Sequence, residues 1–334
     1  MHGTSARRNR ESPHVNYKIS GREIDKMPCK ESSAPYPWSS EDTCSLIPRG
    51  RAFVKMHGLR NDFVIVDGRE QAYAPSVEEI VALCDRHEGV GADELLIVTP
   101  PKTEGTTAFV RIINPDGRDV EACGNASRCV GWLLLKEKGV SSLQFETLGG
   151  ILTCTLAGEK EVSVEMGRVK KEWQEIPLAR EMDTLHLGIG AGPLKDPVGM
   201  NIGNPHAVFF VEDLSAIDLA LYGKVLQTDP LFPEEANIGV AQVVDADTMK
   251  LSVWERPGNM TTACGSGACV AVAAAIRRGL TSKKRMKVMM PAGSVTIELK
   301  EDDIAVMTGP VEVCYSGYLP RLLKQNIKEI NKFN

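Results

Sequence analysis

Two short stretches carry the residues best suited to chemistry: ACGNASRC at residues 122–129 and ACGSGAC at residues 263–269. Each sets one cysteine directly before a glycine and a second cysteine five or six residues on. A helix-like run follows each motif, so Cys123 and Cys264 are predicted to sit at helix N-termini. Such a position presents unpaired backbone N–H groups and a partial positive charge, which lower a thiol's pKa and bind carboxylates. A Cys-Gly opening also lets backbone approach a ligand closely. Two such turns facing each other would place thiols on opposite faces of one carbon. One thiolate would then remove an α-proton while the other thiol returns one to the opposite face, with N–H donors stabilising the developing carbanion. That chemistry needs no cofactor. Buried packing cysteines and a Cys123–Cys264 disulfide are the competing uses of the same pair.

The elements that must position these thiols form an internal repeat at an offset of 141–143 residues. Asn61 in HGLRNDFVIV falls on Asn204 in IGNPHAVFFV, and Glu94 in GADELLIV falls on Asn237 in EEANIGVAQVV. Each stands at the edge of a strand-like run. FVRIIN and LSVWER are alternating strands, with Asn114 and Glu255 each nine residues before a motif cysteine. ASRCVGWLLLKEKG and ACVAVAAAIRRG read as helices closed by basic residues and then Gly139 or Gly279. LGGILTCTL and PAGSVTIEL follow as turn and strand. VAVAAAI is apolar on nearly every side, as suits a helix enclosed by its own sheet. The predicted fold is α/β with mixed sheets: two pseudo-symmetric domains, each wrapped around a central helix.

Composition narrows the function classes. The chain has 334 residues, 43% of them hydrophobic, enough for two domains with buried cores. Its net charge of -5 offers no basic field for nucleic acid or an anionic membrane, and its longest apolar run falls short of a bilayer span. A small-molecule ligand in the cytoplasm is expected. Residues 1–50 lack the apolar core of a secretory signal and mix acidic with basic residues, so they read as a disordered leader. The nine cysteines show no zinc-site spacing, and no metal is expected. Cys129 and Cys269 fall inside the helices as packing residues, while Cys29, Cys44, Cys84, Cys154 and Cys314 show no partner pattern.

Eight blocks now appear in order: MHGLRNDFVIVD, GVGADELLIV, NPDGRDVEACGNASRC, NIGNPHAVFF, ANIGV, VWERPGNMTTACGSGAC, PAGSVTIEL and MTGP. Over about residues 53–319 the chain resembles the diaminopimelate epimerase family. The resemblance implies cofactor-independent conversion of LL- to meso-diaminopimelate for lysine and peptidoglycan precursors, in a homodimer whose site lies in the interdomain cleft. It implies that Cys123 and Cys264 are the acid/base thiols, with His206 and Glu255 beside them tuning protonation. Asn61, Glu94, Asn114, Asn204, Asn237 and Glu255 would contact substrate, Arg256 would pair with the distant carboxylate, and Gly124, Asn125, Gly265 and Ser266 would face the reacting end. The expected halves are residues 51–167 with a return segment near 308–320, and residues 168–307, leaving a tail at 321–334.

Five positions depart from the family pattern. Arg60 and Ala126 stand where glycine is usual, and Pro257 and Asn259 occupy glycine positions of a loop. Wherever such a glycine has positive φ, a side chain costs ~1–2 kcal/mol. Glu94 stands where some members have glutamine, exchanging an amide for a carboxyl. A proline or hydroxyproline racemase-type enzyme and a thiol redox or binding protein are the alternatives. The distal Arg256 and the asparagine series favour a long substrate with a second amino-acid end.

Overall fold

Alternation and apolar runs dictate a strand-rich chain, and the computed structural model describes it over residues 50–256 and 258–319. The expected leader, the tail, Cys29, Cys44 and Pro257 lie outside the described residues. The first half runs β1 (Ala52–Gly58), β2 (Asn61–Asp67), α1 (Val77–Cys84), β3 (Glu94–Thr99), β4 (Phe109–Ile113), β5 (Asp119–Val120), α2 (Gly124–Lys138), β6 (Ser142–Thr147), β7 (Gly150–Gly158) and β8 (Glu161–Arg168). A small hairpin of β9 (Gly190–Ala191) and β10 (Leu194–Lys195) comes next. The second half then runs β11 (Val198–Asn201), β12 (Pro205–Phe210), α3 (Leu219–Gln227), β13 (Asn237–Val243), β14 (Thr248–Glu255), β15 (Asn259–Thr261), α4 (Gly265–Arg277), β16 (Arg285–Met290), β17 (Gly293–Leu299) and β18 (Ile304–Pro310). β19 (Glu312–Tyr318) follows.

The two halves repeat one pairing scheme. In the first, β1 and β2 pair antiparallel, β2 and β3 parallel, β3 and β4 antiparallel, β4 and β6 parallel, then β6 to β7 to β8 antiparallel. In the second, β11 to β14 and β16 to β18 follow the same order of antiparallel and parallel pairs. β8 pairs antiparallel with β18, and β19 pairs with β1, so the strands join into a 17-stranded sheet.

Strand periodicity explains why each half has two layers of helix. Phe63 and Ile65 of β2 face the cluster around α2, while Val64 and Val66 face the cluster holding Ile80 and Leu83 of α1. Strands covered on both faces read as continuous apolar runs, as ELLIV does. α2 is buried from Asn125 to Leu135 and α4 from Gly267 to Ala275, each inside its own sheet. Closeness demands small residues there: a Cβ on Gly131 of α2 would stand 2.7 Å from the Cys154 Sγ. α2 ends on Gly139 in the left-handed conformation, satisfying the expected cap.

Two of the departures from glycine, Arg60 and Ala126, have different consequences. Leu59 and Arg60 form the two-residue tip of the β1–β2 hairpin, with φ of 54° and 66°. That is the geometry of a turn with two left-handed residues, and Arg60 is exposed, with no packing to offset its strain. Leu59 instead buries its side chain in the core of the second half. Ala126 lies in the first turn of α2 and is not among the positive-φ residues, so its methyl group carries no such strain. Arg60→Gly is expected to raise the unfolding free energy by about 1 kcal/mol, read from the midpoint of a urea titration. No change in midpoint would place the strain elsewhere.

Candidate active site

A helix leaves its first N–H groups without intrahelical partners, and here two helices begin side by side. Cys123 is the N-cap of α2 and Cys264 the N-cap of α4. The next residues are glycines, and any larger side chain there would displace the methionines packed against them. A Cβ on Gly124 would stand 2.6 Å from Met307 Cε and 2.9 Å from Met166 Cε. A Cβ on Gly265 would stand 3.0 Å from Met307 Sδ and only 3.9 Å from the Gly124 Cα. Met307 therefore wedges between two helix N-termini that nearly touch. Both thiols are free, Cys264 buried and Cys123 partly open.

On the first-half side, Cys123 Sγ donates to Asn61 Oδ1 at 3.6 Å, and Asn125 Nδ2 donates to the same oxygen at 3.1 Å. Asn61 Nδ2 in turn donates to Asp93 Oδ2 at 3.1 Å. Asp93 belongs to a charged cluster with Arg86, Asp62 and Lys55 that pins the start of β2 against the start of β3. On the second-half side, Asn204 Nδ2 lies 3.4 Å from Ser266 Oγ, and Asn204 Oδ1 lies 3.0 Å from His206 Nε2. Asn237 links His206 to the loop before β15: its Nδ2 is 3.4 Å from His206 Nε2, and its Oδ1 accepts from the Arg256 backbone at 2.9 Å. The Arg256 guanidinium donates to the Glu234 carbonyl at 2.7 Å. Asn114 follows β4, where its backbone closes the turn to Arg118.

The carboxyls are distributed one to each thiol. Glu94 lies within hydrogen-bonding reach of Cys123, and Glu255 within reach of Cys264. Burial pushes the Glu94 carboxyl up to about 7 and raises that of Glu255. His206 is hydrogen-bonded to the two asparagines and to neither thiol. Its burial, with Arg256 nearby, drives its pKa down to about 3, so the ring is neutral at physiological pH.

The thiols themselves depart from the expectation of a lowered pKa. Burial and the adjacent carboxyl push both well above the usual range, and backbone N–H bonds from Asn125 and Ala126 to Cys123, and from Gly267 to Cys264, offset only part of it. The helix terminus contributes roughly half a charge, whereas removing a thiolate from water opposes ionisation with nothing bound to compensate. Cys129 and Cys269 are fully buried in the two cores and held at about 12.

Three supporting residues escape the sequence reading. Asp93 holds Asn61, Met307 separates the helices, and Arg128 lies fully buried, donating to Asn125 Oδ1 at 2.8 Å and Met307 Sδ at 3.2 Å. Among the described residues no carboxylate pairs with Arg128. The signal for Arg128 was a lone cation at the head of an otherwise apolar helical run, CVGWLLL. Asp93 and Met307 carry no local signal.

Comparison with known proteins matches this arrangement to one family. The profile described as "Diaminopimelate epimerase" covers residues 53–172 and 198–314. The chain belongs to the diaminopimelate epimerase family. The "Diaminopimelate epimerase" of Rhodospirillum centenum is 44% identical over 273 residues, spanning 82% of this chain and 94% of that protein. That of Methylocella silvestris is 46% identical over 268 residues, spanning 78% and 92%. Among solved structures, a probable proline racemase from Agrobacterium radiobacter superposes with a TM-score of 0.58 at 15% identity, over 82% of this chain and 94% of that one. A phenazine biosynthesis protein of the PhzF family from Bacillus anthracis gives 0.56 at 16% identity, over 80% and 98%. These structural likenesses establish a shared fold of two pseudo-symmetric α/β domains.

The raised thiol pKa values set an expectation for the substrate-free protein. Alkylation of Cys123 and Cys264 by iodoacetamide, resolved by peptide mass spectrometry, should still climb about tenfold per pH unit between pH 7 and 9. A plateau below pH 8 would show that the helix termini outweigh burial.

Proposed function

We propose that this protein interconverts LL- and meso-diaminopimelate by a two-thiol, cofactor-independent inversion. The observation that carries the reading is the convergence of two Cys-capped helix N-termini across one glycine contact. The relatives named diaminopimelate epimerase, similar over most of the chain, supply the substrate. The fold accommodates related chemistry, but Arg256 and the asparagines suit a substrate with polar groups at both ends better than proline.

In this mechanism the substrate α-carboxylate takes the N–H groups of Gly124, Asn125, Gly265 and Ser266. A charged group there replaces the water that those donors otherwise require. Cys123 and Cys264 stand on opposite faces of the α-carbon. One, as thiolate, takes the proton; the C–H electron pair stays on carbon as a carbanion, and the other thiol protonates the opposite face. The N–H donors and the buried Arg128 charge stabilise the intermediate without moving. Asn61, Asn114, Asn204, Asn237 and Arg256 hold the amine and the distal amino-acid group, with Arg256 making a bidentate carboxylate pair. Neutral His206 orients Asn204 and Asn237.

The functional unit is proposed to be a cytoplasmic homodimer. Each protomer's halves are residues 51–167 with 308–320 and residues 168–307, with the site in the cleft between them. Reduced protein incubated with LL-diaminopimelate in deuterated water, with no added cofactor, should exchange the α-proton and accumulate the meso isomer. Cys123→Ala and Cys264→Ala should each lower turnover by roughly 100-fold or more. Turnover of proline but not diaminopimelate would favour the racemase alternative, and no exchange with either would refute the inversion chemistry.

A further inference from the structure

Gln227 is an uncommon residue to bury completely. It closes α3 with none of its surface exposed, and its amide is divided between two partners of opposite polarity. Its Oε1 accepts from Trp254 Nε1 at 2.6 Å, and its Nε2 donates to the Glu235 carboxylate. An indole N–H can only donate and a carboxylate only accept, so the two partners fix which way the amide points. The Gln227 backbone carbonyl adds a third hold, accepting from the Ala236 N–H at 3.2 Å. Gly223, one turn earlier in α3, lies so close to Trp254 that a Cβ there would stand 2.5 Å from the indole ring.

This clasp holds the turn on which Arg256 is anchored. Glu235 has a φ of 57°, in the left-handed region that a non-glycine residue adopts only under constraint. Its N–H closes onto the Phe232 carbonyl at 2.9 Å. The bend brings two successive carbonyls, those of Glu234 and Glu235, to Arg256 Nη1 at 2.7 and 3.5 Å. Trp254 precedes Arg256 by two residues near the end of β14, so the clasp grips both the anchor of the guanidinium and the strand that delivers it. Among the described residues, Arg256 Nε and Nη2 have no hydrogen-bond partner. Those two nitrogens form one edge of the planar guanidinium, and such an edge takes a carboxylate through two parallel bonds.

Resting on the two-ended substrate proposed above, we infer that Gln227 is a positioning residue for Arg256: acting through Glu235 and Trp254, it presents the free guanidinium edge to the distal carboxylate and so sets the selection for a substrate that carries one. Gln227 itself touches no substrate. An arginine side chain has several rotatable bonds, and fixing them before binding removes an ordering cost that each binding event would otherwise bear. Asn237 joins this end of the site to the rest, accepting from the Arg256 N–H at 2.9 Å and lying 3.4 Å from His206 Nε2. The thiols stand outside the clasp: Cys123 is bonded to Asn61, and Cys264 to Ser266 and Gly267. Loss of the clasp therefore weakens the hold on the distal end and leaves the proton transfers as they were.

The test is the steady-state epimerisation of LL-diaminopimelate by the full chain and by its Gln227→Met, Gln227→Glu and paired Gln227→Glu/Glu235→Gln variants, with circular dichroism confirming the fold of each. Gln227→Met and Gln227→Glu should each raise KM about tenfold while kcat changes by less than about twofold, the pattern of binding lost equally from substrate and transition state. Iodoacetamide should alkylate Cys123 and Cys264 at wild-type rates in both. The paired variant should bring KM back to within about threefold of wild type, because the new carboxylate still accepts from Trp254 and the new amide at 235 donates to it. A wild-type KM in the folded single variants would overturn the assignment, as would a paired variant that folds without recovering KM. A fall in kcat with altered alkylation of the thiols would also overturn it, since that marks damage spread through the site. If Gln227→Met misfolds, the isosteric Gln227→Glu and its paired exchange decide. An Arg256→Met variant with wild-type KM would instead remove Arg256 from substrate binding, and wild-type protein without any exchange would remove the inversion chemistry beneath both.

Discussion

Everything at the site depends on two helix N-termini approaching until Gly124 and Gly265 nearly meet. Like ends of helices carry like partial charges, and their first N–H groups lack partners, so this contact is unfavourable by itself. It is held by covering each helix with its own sheet and by joining the sheets through β8 and β18. The stored deficit is the functional asset. An anion placed between the termini would satisfy both sets of donors at once, and Met307 lies against both glycines.

The same enclosure explains the charges. Arg128 is buried with an amide and a thioether as its hydrogen-bond partners, an arrangement that loses several kcal/mol of hydration unless a negative charge enters nearby. Burial raises the carboxyls of both Glu94 and Glu255 above the usual range. Helix dipoles alone would have ionised the cysteines, but desolvation outweighs them. The substrate-free site therefore opposes negative charge on its acids and thiols.

Much of this was legible in the chain. The two Cys-Gly turns, their helices, the glycine after each helix and the strand runs are local patterns, governed by the 3.6-residue and two-residue periodicities. The 141–143 residue repeat predicts duplicate topology, and the observed pairing order is duplicate. Arg60 was marked only by the family resemblance, and the two-residue hairpin tip that gives it left-handed backbone emerged with the structure. Ala126 misled for the converse reason: its glycine counterpart implied positive φ, but the position is an ordinary first helical turn.

What the sequence determined by itself was the set of elements and the residue types at their tips, because both follow from neighbours along the chain. The tertiary structure alone decided which tips meet. Asp93 supports Asn61, Met307 separates the helices, Glu94 reaches Cys123, and His206 is bound to asparagines. Those choices come mostly from strand register and from packing between segments distant along the chain, where local periodicity carries no information. Proton affinity was settled at the same level, since burial belongs to the assembled fold and outweighs the local charge of a helix terminus.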